Sequence, residues 1–163
     1  MFRLGLSSER VRVCYLVYSS YLRANDAVRH SIEAHPRMPF YAIINPDSGP
    51  GGANTQPGAE YQQCIPILQA ASDNVVVLGY VASWDADPSK ASGVTQDVNT
   101  YAGWNEAYRV DGIFFDQVSG TSADFSTYQN FVSHAQQTFD FVRSPFPCQG
   151  SMMRHSLASC RSR

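Results

Sequence analysis

The sequence holds little that would tie it to a membrane, a metal or a nucleotide. It has no run of about eighteen apolar residues, so no membrane span is expected. Cys14, Cys64, Cys148 and Cys160 show no CxxC spacing; they read as free thiols, and a disulfide is neither excluded nor specified. His30, His35, His134 and His155 form no metal-ligand pattern and read as ordinary surface or helix-end histidines. No metal and no cofactor is implied. Lysine is nearly missing, with Lys90 the single one, and the phosphate-loop spacing GxxxxGK[ST] does not occur. The start, Met1 to Ser20, has scattered arginines and a short apolar run from Val13 to Tyr18. Without a small-residue cleavage site it gives no clear signal peptide.

What is present is a globular composition. The chain has 163 residues, 44% of them apolar, with nine Tyr and nine Phe, which suits one domain with a real core. The net charge of −2 hides an asymmetry. Between Met38 and Val142 eleven acids face only Lys90 and Arg109, while the ends carry ten arginines. An acidic body argues against a nucleic-acid partner and suits a neutral or cationic ligand. A merely solubilising surface would have the same composition.

The chain also has a period. Pro39 to Pro46, Val75 to Val81 and Val110 to Asp116 are apolar runs closed by turn or polar residues, and they start 36 and 35 residues apart. Near-continuous apolar runs mark strands covered on both faces, as in parallel sheets. A weaker strand is expected at Val11 to Tyr18, followed by a helix over about Arg23 to Ala34. From Ala59, the residues Tyr61, Ile65, Leu68 and Ala71 mark a helix that Pro66 should kink or shorten. Ser92 is the expected N-cap of a helix carrying Val94, Val98, Tyr101 and Tyr108. A third helix is expected to carry Phe125, Tyr128, Val132, Ala135, Phe139 and Val142.

Strands alternating with helices give right-handed βα units. Eight such units need roughly 280 residues, so three clear units and a weaker fourth predict about half of a (β/α)8 TIM-type barrel over residues 1–142. Residues 143–163 have no acid and no periodicity and read as a disordered tail. The competing architecture is a complete small α/β sandwich of four strands.

In parallel α/β sheets the loops after the strands line the site. The loop Asn45 to Gly52 lacks the lysine of a phosphate loop and reads as a Pro/Gly turn with capping side chains. Tyr80 and Trp84 offer apolar faces with hydrogen-bonding edges of the kind sugars need, although aromatic residues at strand ends are more often core. Asp116 closes an unbroken apolar strand, a placement that points to chemistry.

Together these strings carry a resemblance. His35-Pro36, Pro39 to Gly51, Leu78-Gly79-Tyr80-Val81, Asp97 through Tyr101 to Trp104, and Val110 to Asp116 resemble, in order and spacing, the spherulation-specific family 4 (spherulin-4) proteins, over about Ser31 to Phe139. The resemblance implies a (β/α)8 barrel related to glycoside hydrolases that cut galactosamine-containing polysaccharide, at or outside the cell surface. An acidic body facing an amino sugar fits that substrate. The family pattern places an Asp-Glu pair at the end of this strand and a further Glu on a later one. Asp116 matches the Asp, and Gln117 stands at the Glu position. An amide cannot give up or take a proton at neutral pH. Little or no hydrolysis is therefore expected, with Asp116 and the degenerate Gln117 at the catalytic positions and Asn45, Asp47, Tyr80 and Trp84 as substrate contacts.

Two readings follow from this. The chain is a shortened descendant of a glycoside hydrolase, or it is a non-catalytic carbohydrate-binding or cell-surface protein. A small nucleotide- or metabolite-binding α/β domain has only fold-level analogy behind it. Oligomeric state is not legible.

Overall fold

The structure is a computed structural model and describes residues 12–17, 30 and 32–143. Five strands, β1 (Arg12–Val17), β2 (Phe40–Asn45), β3 (Val75–Ala82), β4 (Gly112–Asp116) and β5 (Phe141–Arg143), form one sheet. All neighbours are parallel, and the order in space is the order in the chain. Helices α1 (Ala59–Gln69), α2 (Ala91–Ala102) and α3 (Phe125–Ala135) fill the last three connections. Residues 32–34 are helical ahead of β2. Sequential parallel strands linked by helices make the wall of a (β/α)8 barrel, and this sheet is about half of one.

Alternation along the strands explains the unbroken apolar runs. Ala42, Ile44, Val77, Val81, Ile113 and Phe115 face the helices and pack with Ile65, Leu68, Val98, Tyr101 and Phe131. Ile43, Leu78, Tyr80, Ala82 and Phe114 form a second buried cluster on the opposite face. Burying each such side chain contributes roughly 1.5–3 kcal/mol, so both faces select for apolar residues. Gly79 lets α2 approach β3: a Cβ there would stand 2.8 Å from the Tyr101 ring. The Tyr101 hydroxyl donates to Ile44 O at 3.0 Å, which locks α2 onto β2 as well.

The structure corrects several expectations. The sheet has five described strands, so the four-strand sandwich is ruled out as the whole fold. Pro66 lies inside α1, which ends at Gln69, so Ala71 of the expected apolar face lies beyond the helix. Ser92 is not the N-cap of α2. A 3-10 turn, Pro88–Lys90, leads into the helix, and the Asp87 side chain accepts from Ser89 N at its start. Tyr108 lies beyond α2, which ends at Ala102. Phe139 and Val142 lie beyond α3. Phe139 is buried in the helix-side core and Val142 sits in β5. The boundary expected after Val142 therefore falls inside a strand, with Arg143 part of the sheet. Most of the helix expected over Arg23 to Ala34, the segment Met1 to Ser20 apart from β1, and residues 144–163 lie outside the described residues.

Candidate functional site

Parallel register sets the height of each side chain at the C-terminal ends of the strands. Tyr80 pairs with Phe114 and Ala82 with Asp116. Ile44 pairs with Gly79, so Asn45 comes level with Tyr80. Alternation then places Asn45, Tyr80 and Asp116 on the face away from the helices. The Tyr80 hydroxyl donates to Asp116 Oδ2 at 3.0 Å, and the Tyr80 ring lies 6.5 Å from that of Phe114. Asp116 is half-buried and Tyr80 buried, so the carboxylate stands at the edge of an apolar floor.

The next residue breaks the strand. Gln117 is exposed and has φ 54°, in the left-handed region. Across from it, Trp84, Asp85 and Ala86 have φ of 51°, 50° and 63°. Left-handed backbone costs a non-glycine residue roughly 1–2 kcal/mol, and it persists only where its surroundings over-determine it. Here Ser83 does so. Its buried Oγ lies 2.5 Å from Asp116 O and 3.0 Å from Gln117 O, and its N–H donates to Asp116 O at 2.9 Å. Asp85 N–H donates to Gln117 O at 2.8 Å, and Ala86 N–H to Ser83 O at 3.0 Å. The turn leaves Trp84 46% exposed, with Lys90 Nζ 5.6 Å from its ring centroid.

The loop after β2 is held in a different way. Asn45 Oδ1 accepts from Gly49 N at 2.9 Å, which orients the side-chain amide at the end of β2. The loop then runs along α2. Asn54 N bonds Thr100 Oγ1, Gln56 Nε2 bonds Gly103 O, and Gln56 Oε1 accepts from Asn105 N and the Tyr108 hydroxyl. Asp47 is exposed in this loop, and no described contact joins it to Asp116. Asp97 of α2 is pressed against Gly49: a Cβ on Gly49 would lie 3.1 Å from Asp97 Oδ2. Burial pushes the Asp97 carboxyl up to about 6.

Comparison with known proteins decides what this rim belongs to. The family model for spherulation-specific family 4 matches residues 13–152. The chain belongs to spherulation-specific family 4. It is 33% identical over 140 residues to Spherulin-4 of Physarum polycephalum, across 85% of this chain and 39% of that protein. In structure it is similar to Aspergillus clavatus Sph3, whose crystal structure is in complex with GalNAc. That likeness has a TM-score of 0.73 at 29% identity and covers 84% of this chain and 58% of Sph3. The chain therefore spans less than two thirds of the length of either relative.

Within this family 4 chain the expected site residues other than Asp47 fall into three groups. Tyr80 and Asp116 are joined directly, Gln117 and Trp84 are joined through Ser83 and Asp85, and Asn45 is aligned with them by register. Asp47 stays apart. At the other end of the strands a cleft is lined by Gln69, Asp73, Arg109, Asp111 and Asp140 among others. Asp111 there is spent on structure, accepting from Val77 N at 2.7 Å and Gln69 Nε2 at 2.8 Å. Among the described residues no group of three or more His, Cys, Asp or Glu could hold a metal ion, and no helix is long and apolar enough to cross a membrane.

Sequence reasoning missed Ser83 and Asp97. Ser83 is a small polar residue after an apolar run, and no local pattern marks it as the holder of a left-handed turn. Asp97 sits mid-helix like any solvent-facing acid. Only its height against the Gly49 loop makes it unusual.

Proposed function

We propose that this chain binds a galactosamine-containing polysaccharide through the C-terminal rim of β2, β3 and β4, and does not hydrolyse it. The observation that carries this reading is the Tyr80–Asp116 pair at the edge of the rim, in a fold shared with a protein crystallised with GalNAc. The chemistry of the rim suits a sugar. Tyr80 and Trp84 supply aromatic faces, Asn45 an amide donor, and Asp116 a carboxylate that accepts from hydroxyls.

Glycosidic cleavage needs one carboxyl to protonate the leaving oxygen and a second as nucleophile or base. Asp116 supplies one. Gln117 keeps the shape of a Glu and can hydrogen-bond, but its amide moves no proton. Its left-handed backbone and exposed side chain make it a contact residue in this reading. The resemblance adds a place of action at or outside the cell surface, which fractionation of the producing cells would check.

The test is a paired assay on one preparation. The chain is titrated with a soluble galactosamine polymer, and new reducing ends are measured after long incubation. Saturable binding without new reducing ends is expected. Release of reducing ends would overturn the non-catalytic part, and absence of binding would overturn the whole reading.

A further inference from the structure

Four non-glycine residues in left-handed conformation meet at one point of the rim, and the buried side chain of Ser83, which directly precedes the first segment, bonds the backbone of the second. Trp84, Asp85 and Ala86 follow β3, and Gln117 follows β4. Ser83 is fully buried, and its single hydroxyl hydrogen is shared between Asp116 O and Gln117 O. Without that hydroxyl, the Asp116 and Gln117 carbonyls each lose one of two donors. The turn at Gln117 is then held by two backbone donors, Ser83 N–H to Asp116 O and Asp85 N–H to Gln117 O.

We propose that Ser83 is a positioning residue of the sugar-binding rim: its hydroxyl fixes Trp84 and Gln117 relative to each other, so that a sugar stacked on Trp84 meets the Asp116–Gln117 end of β4. Trp84 is exposed because the left-handed turn swings it out of the core, while Tyr80 and Ala82 before it stay buried. Asp85 N–H to Gln117 O, at 2.8 Å, closes the two segments into one unit. A change at either segment is therefore transmitted to the other. This inference rests on the proposed binding function and names the residue that keeps its two halves in register.

The test titrates wild type, Ser83→Ala and Asp111→Ala with GalNAc, following the fluorescence of Trp84. Asp111→Ala removes acceptors from Val77 N and Gln69 Nε2 at the opposite end of the strands, and so reports general destabilisation. Ser83→Ala is expected to weaken binding about tenfold or more, while Asp111→Ala stays within about twofold of wild type even at an equal loss of Tm. Adding Asp85→Gly to Ser83→Ala should restore much of the affinity, because glycine adopts the left-handed region freely. Should Ser83→Ala fail to fold, Ser83→Cys, with its weaker donor, is read in its place. Unchanged affinity in the Ser83 variant, or equal losses in the Ser83 and Asp111 variants, overturns the positioning role and leaves the binding function standing. No GalNAc binding by wild type overturns both.

Discussion

The Tyr80 hydroxyl reaches Asp116 diagonally, donating across the β3–β4 pair to a residue two positions beyond its own register partner, Phe114. The phenol thereby fixes the direction in which the carboxylate leaves the strand. Tyr80→Phe keeps the ring against Phe114 and removes only the donor. It should cost about 1 kcal/mol in a urea melt. The same change should also weaken GalNAc binding, read by titration, because Asp116 is no longer aimed.

Asp97 sets an expected pH dependence. Burial raises its carboxyl to about 6 in the folded chain, against an ordinary value of 3.8. Between those values the folded state binds more protons than the unfolded one, so stability falls as pH rises across that window and levels off above it. Asp97→Asn should flatten the slope between about pH 4 and 6 and raise Tm at neutral pH. Melting curves at several pH values check both. An unchanged slope in the variant would show that another group governs it.

Two glycines should respond in opposite directions to the same change. Gly79→Ala drives a Cβ to 2.8 Å from three atoms of the fully buried Tyr101 ring. A loss of about 1–3 kcal/mol is expected from such overpacking. Gly93, inside α2, has nothing within 4 Å of a Cβ. Gly93→Ala should gain about 0.5–1 kcal/mol, since an unfolded chain with alanine there has less freedom to lose on folding. Chemical denaturation of both variants decides the pair.

The chain carries two tryptophans, and they should separate cleanly in a quenching experiment. Trp104 is 2% exposed beneath the Tyr101 ring, whereas Trp84 is 46% exposed at the rim. Acrylamide should quench Trp84 alone, and GalNAc should protect it. Trp84→Ala should abolish that protection and lower affinity about tenfold.

The strands were legible because both faces of a parallel sheet demand apolar residues: Phe40–Asn45, Val75–Ala82 and Gly112–Asp116 lie within or next to the runs that announce them. The third helix was over-extended because Phe139 and Val142 keep helical spacing by coincidence. Phe139 is buried just past the helix and Val142 belongs to the next strand. A strand as short as Phe141–Arg143 leaves too few residues to set a period. Ser92 looked like a cap because its side chain suits one, but the preceding Pro88 had already started a turn. In the site, Asp116 stood out at the end of its run. The left-handed stretch Trp84–Ala86 left little trace, since it contains no glycine or asparagine and only Asp85 belongs to a type enriched in such backbone.

Chain order and spatial order coincide from β1 to β5. As the polypeptide leaves the ribosome, each strand after the first emerges beside a neighbour that has already been made. Among the described strands, none has to wait for a distant partner or insert between two others. The rim residues on β2, β3 and β4 thus become available for pairing in the order in which they are translated.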